Sequence, residues 1–229
     1  MAPAELISTI RSRLQAAADP VRAAGAQAYM KSEMPSLGVR VPEVRRIVNA
    51  AARELPPGSL AELQSAVLEL WRGARWREER YAAIDLTGLR LATGALGMLP
   101  LYEEIIRTGA WWDLVDGVSH RLCDLLQTHR EDMSPVLLRW STDPDFWIRR
   151  AAITAQLGAK AATDRALLAA VIEANLADSE FFIRKAIGWA LRDFSATNPE
   201  WVRAFVHQHR DQLSPLSRTE ALRKLRADA

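Results

Sequence analysis

Cysteine, lysine and long apolar segments are scarce in this chain of 229 residues. The one cysteine, Cys123, excludes an intrachain disulfide framework and a cysteine-based zinc cluster. The longest uncharged run, Leu91 to Tyr102, has 12 residues and contains two glycines and a proline, so it is too short and too interrupted to cross a bilayer. No long apolar run follows a basic patch near the N-terminus, so we predict no secretory signal and expect a cytoplasmic location.

The net charge is only +2, so bulk electrostatics do not indicate a nucleic-acid partner. Four of the 30 basic residues are lysines and the other 26 are arginines. Arginine suits bidentate contacts with phosphate, but coding DNA rich in G and C also favours it. With 49% hydrophobic and 25% charged residues, the composition is that of a folded globular protein rather than a disordered one.

Apolar residues recur three and four positions apart throughout the sequence, whereas no segment shows the sustained period-two alternation of strands. Proline, glycine and aspartate at short intervals provide start and stop signals. The pattern predicts an all-α chain of short helices in antiparallel pairs. The approximate helices are 4–18, 21–33, 42–54, 60–72, 75–92, 98–108, 111–128, 133–141, 145–158, 163–177, 180–195, 199–211 and 218–226.

Three aromatic pairs recur at a spacing of 35 residues, and the residues around the last two pairs are similar as well. The pairs are Trp111-Trp112, Phe146-Trp147 and Phe181-Phe182. A period of this length with two helices per repeat is typical of α-solenoids of the HEAT or armadillo kind. Because no linker interrupts the pattern, we predict one continuous domain over residues 1–229.

The repeat also provides a register in which unusual residues stand out. With the second aromatic residue of each pair as position zero, Asp116 lies at position four, where the following repeats have alanine. Arg150 lies at position three and Trp189 at position seven, and these positions share one face of a helix. The register therefore predicts that a carboxylate, cations and tryptophans come together on three adjacent helices.

A purely structural interpretation of the same residues stays open. Tryptophans at helical spacing are usually core residues, and a carboxylate such as Asp116 on an apolar face normally has a cationic partner, here Arg150. Arg149, Arg184 and Lys185 fit salt bridges between neighbouring repeats. A HEAT-type scaffold for protein interactions, without DNA affinity, is therefore an alternative hypothesis.

Several segments resemble the AlkD family of bacterial DNA alkylation repair glycosylases. The stretch Trp111–Asp116 resembles the Trp-Trp-Asp-x-Val-Asp motif of that family. Other similar segments lie in order along nearly the whole chain, at 29–31, 37–39, 42–43, 148–153, 181–192 and 213–221.

The resemblance implies a right-handed, C-shaped superhelix of HEAT-like repeats with duplex DNA in its concave face. It implies a base excision repair enzyme that hydrolyses the N-glycosidic bond of cationic alkylated purines, of the 3-methyladenine or 7-methylguanine type, without a base-flipping pocket. The expected partner is double-stranded DNA, bound by a monomer in the bacterial cytoplasm at the nucleoid, and no metal, cofactor or membrane is expected. Similar relatives that bind branched or distorted DNA without catalysis keep a further hypothesis open.

The resemblance also assigns roles to individual residues. The catalytic set is Asp116, Trp112, Trp189 and Arg150. Asp116 is expected to stabilise the electron-poor sugar and to orient water, and Arg150 is expected to hold a phosphate beside the lesion. Tyr29 matches an N-terminal tyrosine near the family's site. Together with Arg150, the expected DNA contacts are Tyr29, Arg149 and Lys185.

Overall fold

The computed structural model of this protein describes residues 2–225, with side chains from residue 4 onward. These residues form α-helices and three short 3-10 helices, with no strand among them, which confirms the all-α prediction. The α-helices are α1 (Ala2–Ala16), α2 (Pro20–Met30), α3 (Val41–Glu54), α4 (Leu60–Arg72), α5 (Arg77–Leu86), α6 (Leu99–Gly109), α7 (Trp112–Gly117), α8 (Ser119–Thr128), α9 (Arg130–Trp140), α10 (Phe146–Thr154), α11 (Arg165–Glu173), α12 (Phe181–Ser195), α13 (Pro199–Gln208) and α14 (Pro215–Ala221). The 3-10 helices are Arg90–Ala92, Leu96–Met98 and Lys160–Ala162. No helix in this part of the chain has both the length and the apolar content of a bilayer span.

Most ends of the predicted helices lie within about four residues of the observed ends, and two helices differ by more at one end. α5 is shorter than the helix predicted over 75–92, because the Thr87 hydroxyl donates a hydrogen bond of 2.6 Å to the Ile84 carbonyl oxygen and the chain turns there. The final predicted helix, 218–226, corresponds to α14, which begins earlier because the Ser214 hydroxyl caps its first turn. The last residue of that predicted helix lies outside the described residues.

The helix predicted over 111–128 is divided at Val118. Gly117, which has low helix propensity, lies just before the division. The Val118 N–H donates to the Val115 carbonyl oxygen three residues back, at 3.2 Å, so the chain tightens into a turn before α8 begins. The result is a separate helix of six residues, α7, which carries Asp116.

The described chain separates into two compact units, and the boundary lies between Leu101 and Tyr102 within α6. In the first unit, α1 packs against α3, α4 and α5, and both α3 and α4 pack against α5. The buried Glu78 carboxylate accepts hydrogen bonds from residues 36–39, in the loop that links α2 to α3. The single domain over 1–229 stays a prediction.

In the second unit, α7, α10, α12 and α14 form one row in which each helix packs against the next. α9 packs against α8, α10 and α11, and α13 packs against α12 and α14. Hydrogen bonds in which at least one partner is a side chain join neighbouring repeats at sequence separations of 34 to 36 residues, at Arg107–Asp143, Asp116–Arg150, Ser119–Thr154, Ser141–Asn175, Gly158–Asp193 and Lys185–Glu220. These contacts confirm the helical repeat, whereas the right-handed C shape and its concave face stay predictions.

α12 and α14 approach each other closely at Gly188. A methyl group added there would lie 2.6 Å from Glu220 Cβ and 3.0 Å from the Ser217 carbonyl oxygen. The Ser217 hydroxyl also donates a hydrogen bond of 2.9 Å to the carbonyl oxygen of Arg184 in α12. The close packing of α12 on α14 therefore requires glycine at position 188.

We expect Gly188→Ala to lower the free energy of unfolding by about 1–3 kcal/mol, the usual cost of overpacking, even though alanine is the better helix former. Gly25→Ala in α2 is the matched control, because no atom lies within 4 Å of the added methyl group. That control should be neutral or stabilising by up to about 1 kcal/mol. Urea denaturation measures both, and equal responses would contradict the close approach at Gly188.

Candidate functional site

The Asp116 carboxylate lies on α7 and is held by Arg150 from α10. Arg150 Nε donates to Asp116 Oδ1 and Arg150 Nη2 donates to Asp116 Oδ2, both at 2.8 Å. The side chain of Asp116 is 13% exposed and that of Arg150 is 5% exposed. The two residues therefore form a nearly buried bidentate pair, as the repeat register predicts, with its remaining access to solvent on the carboxylate side.

A third donor of Arg150 ties the pair to the next helix. Arg150 Nη1 donates a hydrogen bond of 2.6 Å to the carbonyl oxygen of Phe182, at the start of α12. Three adjacent helices of the row thus meet at one guanidinium group. Its role as a phosphate contact stays a prediction, because these three donors face protein acceptors in this structure.

Burial raises the pKa of the Asp116 carboxyl above its ordinary value of 3.8, because a buried carboxylate loses hydration. The hydrogen bonds and the charge of Arg150 act in the opposite direction, and the nearby negative charge of Asp113 adds a smaller upward contribution. The guanidinium is thus the group that favours the ionised form of a carboxyl that burial would protonate.

The aromatic residues at the starts of α7, α10 and α12 form one cluster, as their 35-residue spacing suggests. The ring centroids of Trp147 and Phe182 are 4.9 Å apart, and those of Trp111 and Phe182 are 5.7 Å apart. Phe146 stacks on Phe182 with a centroid distance of 6.5 Å, and Phe181 meets Phe182 edge-on at 5.4 Å. The cluster fixes the backbone that presents the Phe182 carbonyl oxygen to the guanidinium.

The tandem tryptophans differ in their surroundings. Trp111 belongs to the cluster, and its buried Nε1 has no hydrogen-bond partner among the described residues. Trp112 is half-buried and takes part in no ring stacking within the described part of the chain, and the same holds for Trp189 on α12. Trp112 lies one helical turn before Asp116. The two tryptophans of the predicted catalytic set are therefore neither fully buried nor stacked on another ring of the described residues.

Arg149, predicted as a DNA contact, is engaged within the protein. Its Nη2 donates to Asp178 Oδ2 at 2.8 Å, and its Nη1 donates to the Asp143 carbonyl oxygen at 2.7 Å. Arg184, 35 residues later, likewise donates to the Asp178 carbonyl oxygen at 3.0 Å. The salt bridge between repeats that the structural interpretation proposed is present here, and the DNA contact of Arg149 stays a prediction.

Lys185 belongs to a group of cations around one carboxylate. Its ammonium lies 3.1 Å from the buried Glu220 carboxylate, which also pairs with Arg192 and, at 4.0 Å, with Arg223. Burial lowers the pKa of Lys185, and the neighbouring arginines lower it further. Three cations share one acid, so the group keeps net positive charge on the row that carries Asp116.

Tyr29 lies in the first unit and is 76% exposed. It stands at the end of α2 and lines a cavity of about 460 Å³ with Arg22, Arg40, Val41 and other residues. An exposed phenol beside a cavity lined by arginines is compatible with a nucleic-acid contact. That role for Tyr29 stays a prediction.

Several residues of this site were not predicted from the sequence. Glu220 could have been found, because it follows Lys185 by one repeat length of 35 residues. Arg192 lies seven positions after Lys185 and therefore on the same helix face. The Phe182 carbonyl oxygen gives no signal in the sequence, because a main-chain acceptor carries no residue identity.

The family model of the DNA alkylation repair enzymes matches residues 10–225 of the chain. The chain belongs to this family. Its structure is similar to that of a predicted DNA alkylation repair enzyme from Enterococcus faecalis, with a TM-score of 0.81 and 30% identity, over 91% of this chain and 96% of that chain. No curated protein matches the chain.

The matched residues include all the segments that resemble the AlkD family. The Asp116–Arg150 pair lies within the matched residues of an enzyme family that acts in DNA repair. The narrower resemblance to AlkD glycosylases within the family of DNA alkylation repair enzymes stays a prediction. The activity is therefore argued below from the pair itself.

We expect Arg150→Met to lower the free energy of unfolding by about 3 kcal/mol at neutral pH, because it leaves the Asp116 carboxylate buried without its partner. Adding Asp116→Asn should recover part of that loss, so the two changes are less than additive. Without the guanidinium, the folded protein should bind a proton at Asp116 more readily than the unfolded chain. The deficit of Arg150→Met should therefore shrink as the pH falls from neutral toward about 4.

Urea denaturation across this pH range, on the two single variants and the double variant, measures the coupling. Additive losses that do not change with pH would contradict a buried bidentate pair.

Proposed function

We propose that this protein is a DNA glycosylase that hydrolyses the N-glycosidic bond of cationic alkylated purines, of the 3-methyladenine or 7-methylguanine type, in duplex DNA. The observation that carries the proposal is the Asp116 carboxylate, which Arg150 holds by two hydrogen bonds while part of it stays accessible. Membership of the DNA alkylation repair enzyme family supports DNA as the substrate.

The leaving group decides what the enzyme has to supply. Alkylation at N3 or N7 gives the purine a positive charge, and the base takes the electron pair of the glycosidic bond and departs neutral. No general acid is needed to protonate it. The charge that must be stabilised is the one that develops on the deoxyribose, as in the oxocarbenium-like state of glycoside hydrolysis.

Asp116 has the acceptor capacity for this task. Each carboxylate oxygen has two lone-pair positions, and the bidentate bond to Arg150 occupies one on each oxygen. The free positions can face the developing cation and accept a hydrogen bond from the attacking water. The water oxygen forms the new bond to the anomeric carbon, and its proton passes through the carboxylate to solvent.

Trp112 and Trp189 provide the remaining surface around the sugar in this proposal. Both indoles are partly exposed and neither is stacked on another ring among the described residues. An indole face attracts a cation, and two such faces also keep water from the developing charge. Trp111 does not share this role, because it is part of the aromatic cluster.

DNA would be held by cations and by Tyr29. Lys185 contributes net positive charge next to the pair, and Arg150 has donors beyond the three that are bonded here. Arg149 would contribute through the repeat contact to Asp178 rather than through a free guanidinium. In this proposal the deoxyribose is reached without a pocket for a flipped base, by a monomer of HEAT-like repeats that acts in base excision repair in the bacterial cytoplasm.

We expect Asp116→Asn to slow the release of alkylated bases from methylated duplex DNA by roughly 10²–10³-fold, the usual cost of removing one electrostatic group from an active site. The change preserves the shape of the side chain and removes its charge. DNA affinity, measured by fluorescence anisotropy, should be retained and should fall steeply with salt.

The matched control is Asp132→Asn on the exposed surface of α9, which should leave base release unchanged. Equal release by the wild type and Asp116→Asn would remove Asp116 from the mechanism. DNA binding with no base release by the wild type would instead favour a non-catalytic protein that binds distorted DNA.

Neutral lesions should be poor substrates. Uracil and hypoxanthine leave as anions unless an acid protonates them, and the proposed mechanism supplies no such acid. We expect the wild type to release uracil and hypoxanthine no faster than the Asp116→Asn protein does. The wild type should release a cationic 7-methylguanine lesion from the same duplex. Efficient excision of uracil, measured on the same duplex context, would contradict selection by leaving-group charge.

A further inference from the structure

α13 and α14 enclose a cleft of about 720 Å³, which we call the α13–α14 cleft. Its polar side chains are Arg203, His207, Arg210, Arg218 and Thr219. Its apolar lining comes from Ala204, Val206, Pro215 and Leu222. None of the lining residues is acidic, so the cleft carries at least three positive charges.

The cleft lies on the side of α14 that faces away from α12. Ser217, Glu220 and Ala221 are buried, and Ser217 and Glu220 bond to residues of α12. Arg218 and Leu222 are displaced from that face by roughly a third of a helical turn or slightly more and line the cleft instead. The cleft is therefore separate from the cations around Glu220 and from the Asp116–Arg150 pair.

Two of the three arginines of the cleft are held by main-chain oxygens instead of carboxylates. Arg218 Nη1 donates to the Arg210 carbonyl oxygen, and Arg203 Nη2 donates to the Leu225 carbonyl oxygen at 3.0 Å. Among the described residues, no acidic side chain pairs with Arg203, Arg210 or Arg218. A carbonyl bond fixes a guanidinium while leaving its full charge and most of its donors available.

We propose that the α13–α14 cleft is a binding site for a phosphate group carried by a larger molecule, either the backbone of a DNA strand or a nucleotide. Planar guanidinium groups match the oxygens of a phosphate in pairs, and the Thr219 hydroxyl adds a donor. The volume far exceeds that of one phosphate, and the apolar lining at Val206 and Leu222 suits the sugar or base attached to it.

The position of the cleft fits a second contact with a long ligand. α7, α10, α12 and α14 are neighbours in one row, and packed helices lie about 8–10 Å apart. The cleft is then on the order of 25 Å from Asp116, which corresponds to about seven base pairs of duplex DNA at about 3.4 Å each. The DNA form of this inference rests on the proposed substrate, whereas the nucleotide form does not.

The test compares the double variant Arg210→Gln/Arg218→Gln with the matched control Arg139→Gln/Arg165→Gln, which removes two exposed arginines from α9 and α11. Binding of an undamaged duplex of about 20 base pairs and of ATP is measured for each, at several salt concentrations. The conservative variant Arg210→Lys/Arg218→Lys keeps both charges. Unchanged thermal unfolding shows that each variant is folded.

If the cleft binds the DNA backbone, the glutamine variant should lose roughly tenfold in DNA affinity for each arginine. The slope of log affinity against log salt concentration should become less steep by about two, one for each lost phosphate contact. If it binds a nucleotide, the variant should lose ATP binding by a similar factor with DNA affinity unchanged. The lysine variant should retain most of the affinity in either case.

Unchanged binding of both DNA and ATP would overturn the inference, and so would an equal loss of DNA affinity in the control. The Asp116→Asn protein retains every residue of the cleft and should bind both ligands as the wild type does. Failure of the glycosylase proposal is therefore distinguishable from failure of the cleft proposal.

Discussion

The bidentate bond between Arg150 and Asp116 is the contact on which the site depends. Burying either charge alone would cost several kcal/mol, and burial without a partner would drive the carboxyl to its protonated form. The pair avoids both outcomes, and the third bond to the Phe182 carbonyl oxygen fixes the guanidinium relative to α12. The orientation of the carboxylate is thus set by three helices at once. The proposed stabilisation of a developing charge requires a carboxylate that is fixed in this way.

A carboxylate paired with a guanidinium can still stabilise a second cation, because attraction by the carboxylate and repulsion by the guanidinium both depend on distance. Coulomb attraction falls with separation, so a sugar in contact with the free side of Asp116 is closer to the negative oxygens than to the guanidinium behind them. Low exposure strengthens this difference, since little water screens it. In the proposed mechanism Arg150 is chiefly a positioning residue, because its bonds favour the ionised form of the carboxylate and fix its direction.

The 35-residue period explains how much of the site could be predicted from sequence. Asp116 and Arg150 stand out because they occupy a face that is otherwise repetitive, and stacking of neighbouring repeats brings such residues together. The same period points from Lys185 to Glu220, 35 residues later. It could not show that Arg149 turns to Asp178, which is 29 residues away, since that partner choice depends on side-chain direction and on which acids are near in space. The division of the helix at Val118 was missed for a similar reason, because one glycine is a weak stop signal.

The effect of the many arginines depends on which acceptors hold their guanidinium groups. Guanidiniums that bond carboxylates of the next repeat, such as Arg107 with Asp143, join helices and contribute little net field. Guanidiniums held by main-chain oxygens keep their charge, as Arg203 and Arg218 do. A net charge of +2 therefore understates the positive charge of the α13–α14 cleft, which three arginines line without an acidic residue.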